Sequence, residues 1–117
     1  MALRFMDNKD RDLYYVSKII KDLNFLIEHT QKLNEDDFNK DEVLLDSILF
    51  RLIQISENIK NISLELKSKN TQIPWINIVG FRNKIVHDYG KVDLTVVYYV
   101  ISKSIYELKS FFENIIQ

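Results

Sequence analysis

Only two glycines and one proline punctuate this chain of 117 residues, and turn dipeptides are almost absent. A chain with so few breakers runs in long helices, since glycine and proline mark most sharp turns. The apolar spacing agrees. Leu13, Val16, Ile20, Leu23 and Ile27 step by three and four residues, which predicts a first helix from about Asp10 to Gln31. The acidic stretch "LNEDDFNKDE" then reads as a surface connection, with Asn39 or Asp41 able to cap the next helix. A second helix is expected over about Asp41–Lys67, along Leu44, Leu45, Ile48, Leu52, Ile55, Ile59, Ile62 and Leu66. It carries a second apolar stripe of Leu49, Phe50 and Ile53. A helix that is apolar on more than one face is central in a bundle or meets a second subunit.

"KSKNTQIP" ends that helix, and Pro74 fits the first turn of a third, where its missing N–H costs nothing. The third helix is expected to reach His87 or Asp88, with Gly90 as its C′ residue. Asp93 can cap a fourth, Leu94–Ile116, along Val97, Val100, Ile101, Ile105, Leu108, Phe112 and Ile115. Helices joined by short connections imply an all-α, antiparallel bundle of four to five helices. The length suits a single domain, 1–117.

Composition narrows the function classes. The chain has no cysteine, which excludes disulfides and thiolate metal sites. Two distant histidines make no zinc site, and "NEDD" lacks calcium-loop spacing. No cofactor or metal is expected. No apolar run approaches the roughly 18 residues of a membrane span, and "MALRFMDNKDRD" lacks the apolar segment of a signal peptide. The expectation is a cytoplasmic protein without a membrane partner. A net charge of −1 does not suit nucleic-acid binding by bulk electrostatics, so any such activity must rest on a local site or a groove made by assembly.

The third helix holds the chemistry. Trp75, Ile78, Val79, Arg82, Ile85, Val86 and Tyr89 form one stripe, apolar or aromatic except for Arg82. Its stem can snorkel, or its guanidinium can meet an anion. The candidates are a carboxylate such as Glu57 or a bound phosphate, which arginine grips with two parallel bonds. His87 lies five residues further on, about 7.5 Å along the axis and roughly 140° around it. Histidine is the usual proton-transfer group near neutral pH. Tyr89 returns to nearly the face of Arg82. It can pack with an exposed hydroxyl or take a substrate or modification role. Asn83 can contact a ligand or orient the helix end. Trp75 reads as core, and Lys84, Lys91 and His29 as surface.

"RNKIVHDY" resembles the signature of HEPN domains, helical bundles many of which are metal-independent ribonucleases. "PWINIVGFRNKIVHDYGKVDLTVVYYVI" is similar to the stretch around that signature in the HepT toxin family, and "LFRLIQISENIKNIS" to its second helix, although Ser56 stands where a glycine is usual. The likeness spans about Leu49 to Ile101, and the N-terminal third matches only in helical pattern. It implies a HEPN-like fold and an RNA substrate cut by attack of a 2′-OH on the adjacent phosphorus. His87 would be the general acid or base and Arg82 the phosphate clamp, with Asn83 and Tyr89 positioning substrate. It implies a homodimer whose two motifs share one cleft. It also implies a cognate minimal nucleotidyltransferase antitoxin that silences the toxin by placing AMP on Tyr89. The alternatives are a non-catalytic HEPN domain that docks a nucleotidyltransferase or acts as a dimeric scaffold, and a plain bundle in which Arg82 is only an ion-pair member.

Overall fold

The computed structural model describes residues 7–117. The part of the N-terminal segment before Asp7 therefore lies outside the described residues. Among those described, the architecture is entirely helical, without a strand.

Helix α1 spans Asn8–Thr30, opened by Asp7, whose Oδ1 accepts from the Asp10 N–H at 2.8 Å. One face is apolar at helical spacing, and Val16, Ile19, Leu23 and Leu26 are fully buried. The connection after it is not plain surface coil. Glu35–Lys40 form a short helix, α2, because Asn34 caps it through a 2.8 Å bond from the Asp37 N–H. Three acids in its first turn and Lys40 in its last suit the helix dipole. Phe38 anchors this turn in the core at 1% exposure, tilted against the Tyr98 ring with centroids 5.7 Å apart.

Helix α3, Glu42–Lys60, begins at the Asp41 cap, which accepts from the Leu44 N–H at 2.9 Å. It stops seven residues earlier than expected, for a tertiary reason. The carboxylate of Asp12 on α1 accepts both the Ser63 N–H (2.8 Å) and the Ser63 hydroxyl (2.6 Å). That N–H is thereby lost to α3, and Ser63 instead caps a separate short helix, α4, Leu64–Lys69. Helix α5 spans Trp75–His87 directly after Pro74. The Trp75 indole donates to the Asn70 carbonyl at 3.0 Å and meets Phe112 edge-on. Gly90 is not a left-handed C′ residue, since no described residue has positive φ. Tyr89–Lys91 instead tighten into a 3₁₀ turn, with the Lys91 N–H on the Asp88 carbonyl at 2.6 Å. The last rod runs as expected from Leu94, capped by Asp93, as α6, Leu94–Tyr99, and α7, Ile105–Ile116. Between them Val100–Ser104 make a π turn, a widening the apolar periodicity does not foretell.

The bundle is formed by α1 packed on both α3 and α7, with α5 laid along α3. On α3, Ile48, Leu49, Leu52, Ile55 and Ile59 face the core. Its other side leaves Val43 at 78% and Phe50 at 56% exposure. No helix among the described residues is long and apolar enough to cross a membrane.

Candidate functional site

Helix α5 is the least embedded of the longer helices, and Ile85 is its one fully buried side chain. The core-facing side is Trp75, Ile78, Val79, Phe81 and Ile85, so most of the expected stripe is kept and only its edge is shifted. Phe81, absent from that stripe, packs against the core, while Val86 and Tyr89, both on the stripe, are each 48% exposed. Arg82 and Tyr89 each find a carboxylate on α3.

Arg82 meets Glu57, one of its two expected partners. Nε lies 2.9 Å from Oε1, with side-chain exposures of 27% and 41%. The N–H is not aimed at that oxygen, so the contact is an ion pair without a directed hydrogen bond. Lys60 approaches the same Oε1 at 3.6 Å, so Glu57 is shared between two cations. Arg82 Nη1 donates to Asn83 Oδ1 at 3.0 Å, which gives Asn83 the role of orienting the guanidinium. Both residues still reach solvent. The fork is therefore held to α3 at its base, with Nη1 on its own helix neighbour Asn83.

His87 is exposed in the last turn of α5, beside the C-terminal carbonyls of the helix. One residue beyond the C-cap Asp88, the Tyr89 hydroxyl donates to Asp46 Oδ1 at 2.9 Å. That hydrogen bond, followed by partial burial and the negative charge of Asp46, raises the phenol above its ordinary value near 10. Asp46 did not stand out in the sequence. It is an isolated acid 43 residues from Tyr89, and only the packing of α5 on α3 joins them.

Arg82, Asn83, His87 and Tyr89 thus lie along one helix end, two of them tied to α3. Among the described residues no group of three or more His, Asp or Glu side chains could hold a metal ion. Trp75 is half-buried against the core and His29 is exposed, both as expected, and the His29 ring lies 4.3 Å from that of Phe25. One helix end thus carries a cationic fork, an imidazole and a phenol that all reach solvent, a set suited to an anionic, phosphate-bearing substrate.

Comparison with known proteins points to a ribonuclease family. The family model described as "Ribonuclease HepT-like" matches residues 19–115. A protein of Caldanaerobacter subterraneus subsp. tengcongensis named "Putative RNase" is 34% identical over 88% of this chain and 92% of its own length. "Probable ribonuclease HepT" of Thermococcus cleftensis is 29% identical over 86% of this chain and 92% of its own. A longer Methanocaldococcus jannaschii protein, "Gamma-glutamylcyclotransferase and putative RNase", is 33% identical over 81% of this chain and 43% of that protein. No solved structure matches. The family match extends well beyond the motif, into α1 at one end and α7 at the other, and the chain belongs to the HepT-like ribonuclease family.

Proposed function

We propose that this chain is a metal-independent RNA endonuclease, the cytoplasmic toxin of a pair whose antitoxin is a minimal nucleotidyltransferase. The observation that carries the reading is the state of Arg82: seated on Glu57 by its Nε and on the neighbouring Asn83 by Nη1, still reaching solvent, with His87 exposed at the same helix end. A phosphodiester can take the free edge of the guanidinium through two parallel hydrogen bonds. The 2′-oxygen then attacks the adjacent phosphorus, the P–O5′ bond breaks, and a cyclic phosphate and a 5′-hydroxyl result. His87 moves a proton at one of those two oxygens. Arg82 stabilises the charge that grows on the phosphoryl oxygens. One such pair per chain is sparse, and a homodimer supplies the second. The exposed Val43 and Phe50 of α3 and Val86 of α5 supply apolar surface beside the motif for that interface. Modification of Tyr89 with AMP then adds a phosphodiester charge and bulk beside a cleft that must accept an anionic backbone.

The test is RNA cleavage by the purified dimer with and without a chelator, with end-mapping of the products. Cyclic phosphate ends, retained in chelator and lost in His87→Ala, are the expected result. Restoration by Mg²⁺ after chelation sinks the mechanism. The Glu57 contact itself favours a second reading, in which Arg82 is a structural ion-pair member and the domain is a scaffold. Under that reading Arg82→Ala lowers stability and no RNA cleavage is found.

A further inference from the structure

Tyr89 is one of two hydroxyl-bearing side chains in the described residues whose O–H is given to a carboxylate; the other is Ser63, part-buried against Asp12 and used to cap α4. Tyr89 caps nothing. Its phenol is 48% exposed, and its oxygen lies 2.9 Å from Asp46 Oδ1, inside the 2.6–3.2 Å reach of a proton transfer. Asp46 is itself exposed, in the second turn of α3. It also lines a shallow, open recess of about 300 Å³ with Phe25, Ser47, Phe50 and Arg51. A second protein bringing a nucleotide to the phenol therefore finds the acceptor oxygen and its carboxylate on the same accessible edge.

We propose that Asp46 is the general base that activates the Tyr89 hydroxyl for nucleotidyl transfer, so that the chain contributes to its own silencing. The proposal rests on the reading of Tyr89 as the AMP acceptor. In the step, Tyr89 Oη attacks the α-phosphorus of ATP held by the nucleotidyltransferase. The Oη–P bond forms, the bond from the α-phosphorus to the bridging oxygen breaks, and pyrophosphate leaves with that electron pair. The phenolic proton passes to the Asp46 carboxylate. Transfer to a placed base is needed because the same carboxylate suppresses prior ionisation: it raises the phenol above its ordinary value, so the nucleophile enters the step protonated. A hydrogen bond that merely steered the ring would be served as well by an amide oxygen, and this gives the test its leverage.

The experiment incubates the dimer, as wild type and as Asp46→Asn, Asp46→Ala and Asp46→Glu, with ATP and the cognate nucleotidyltransferase. Intact mass follows AMP incorporation over time, and a thermal melt checks each fold. Asparagine keeps the acceptor oxygen and cannot take the proton. Asp46→Asn and Asp46→Ala are both expected to lose at least ~10-fold in kcat for modification at unchanged KM. Asp46→Glu is expected to recover part of the rate. Asp46→Asn at the wild-type rate, or a loss confined to KM, overturns the general-base role while leaving Tyr89 as acceptor intact. A wild-type chain that gains no AMP overturns both.

Discussion

Two arginines reach carboxylates across α3, and they are held differently. Arg51 on α3 donates to Asp22 of α1 at 2.7 Å, with the carboxylate only 11% exposed. Its guanidinium carbon also lies 3.8 Å from the centroid of the Phe25 ring. Aromatic face and directed bond together commit that side chain, and the pair ties α1 to α3. Arg82 lies 2.9 Å from Glu57, but without a directed bond, on a carboxylate 41% exposed and shared with Lys60. The first arginine is part of the scaffold. The second is tied to α3 only through its Nε, its Nη1 bonding just the adjacent Asn83, which suits the proposed phosphate contact better than a guanidinium fully committed between helices.

The sharpest way to break this comparison is to remove each guanidinium and read activity against stability. Arg82→Ala and His87→Ala are each expected to lower RNA cleavage by ~10²-fold or more, a typical scale for losing a charge-stabilising or proton-transfer group. Arg82→Lys is also expected to be strongly impaired, since an ammonium cannot form the two-pronged contact. Stability is expected to change by less than about 1 kcal/mol in Arg82→Ala, because partly exposed ion pairs contribute little. A large fall in melting temperature with cleavage retained per folded molecule would move Arg82 into the same class as Arg51.

The converse experiment is Arg51→Ala. It strands Asp22, nearly buried, without its cation. Loss of a charge-assisted hydrogen bond costs about 2 kcal/mol, a drop in melting temperature on the order of 10 °C for a domain of this size. Cleavage per folded molecule is expected to stay near the wild-type level. If Arg51→Ala leaves the melt untouched and removes cleavage, the scaffold assignment is wrong.

A smaller effect concerns the exposed apolar side of α3. Phe50→Asp is expected to shift the chain from dimer to monomer in light scattering, and with it to lower cleavage, because each motif would lose its partner. The fold itself is expected to survive, since Phe50 is 56% exposed. A variant that stays dimeric places the interface elsewhere.

The same contrast explains what was legible in the sequence. Helices α1, α5 and the final rod were, because each has a periodic apolar face and a capping acid or a proline at its start. Helix α2 was hidden because one aromatic, Phe38, does the anchoring, and one residue has no period. The early end of α3 was hidden because its cause is Asp12, 51 residues from Ser63. The motif residues could be named from spacing and resemblance, and Glu57 was available as a charge on a predicted helix margin. The exact buried edge of α5 could not be read: Phe81 and Val86 are equally apolar, and the fold packs the first on the core and leaves the second 48% exposed. The Asp46 contact depends on how α5 packs on α3, and so it surfaced with the structure alone.

The smallest expected effect sharpens the comparison at Tyr89, whose partner, like that of Arg82, is an exposed acid of α3. The folded phenol titrates above its ordinary value, first through the Asp46 hydrogen bond. The fold thus favours the protonated tyrosine. Near pH 10 the unfolded chain begins to lose this proton while the native chain retains it, so the native state binds more protons and stability falls as pH rises. The stabilisation is fully present below the unfolded value and is lost as pH rises through the folded one. Because the ring is half exposed, solvent screens the interaction and the change in stability is slight. The direct measurement is phenolate absorbance during alkaline titration, taking the wild type minus Tyr89→Phe difference to isolate one tyrosine from the six in the chain. The difference is expected to centre above pH 10, and in an Asp46→Asn background to move back toward the ordinary phenol range, since a neutral amide neither repels the phenolate nor holds the proton as strongly. A titration identical in both backgrounds would mean that the Asp46 contact does not form in solution, and the general-base proposal would then lose the geometry on which it stands.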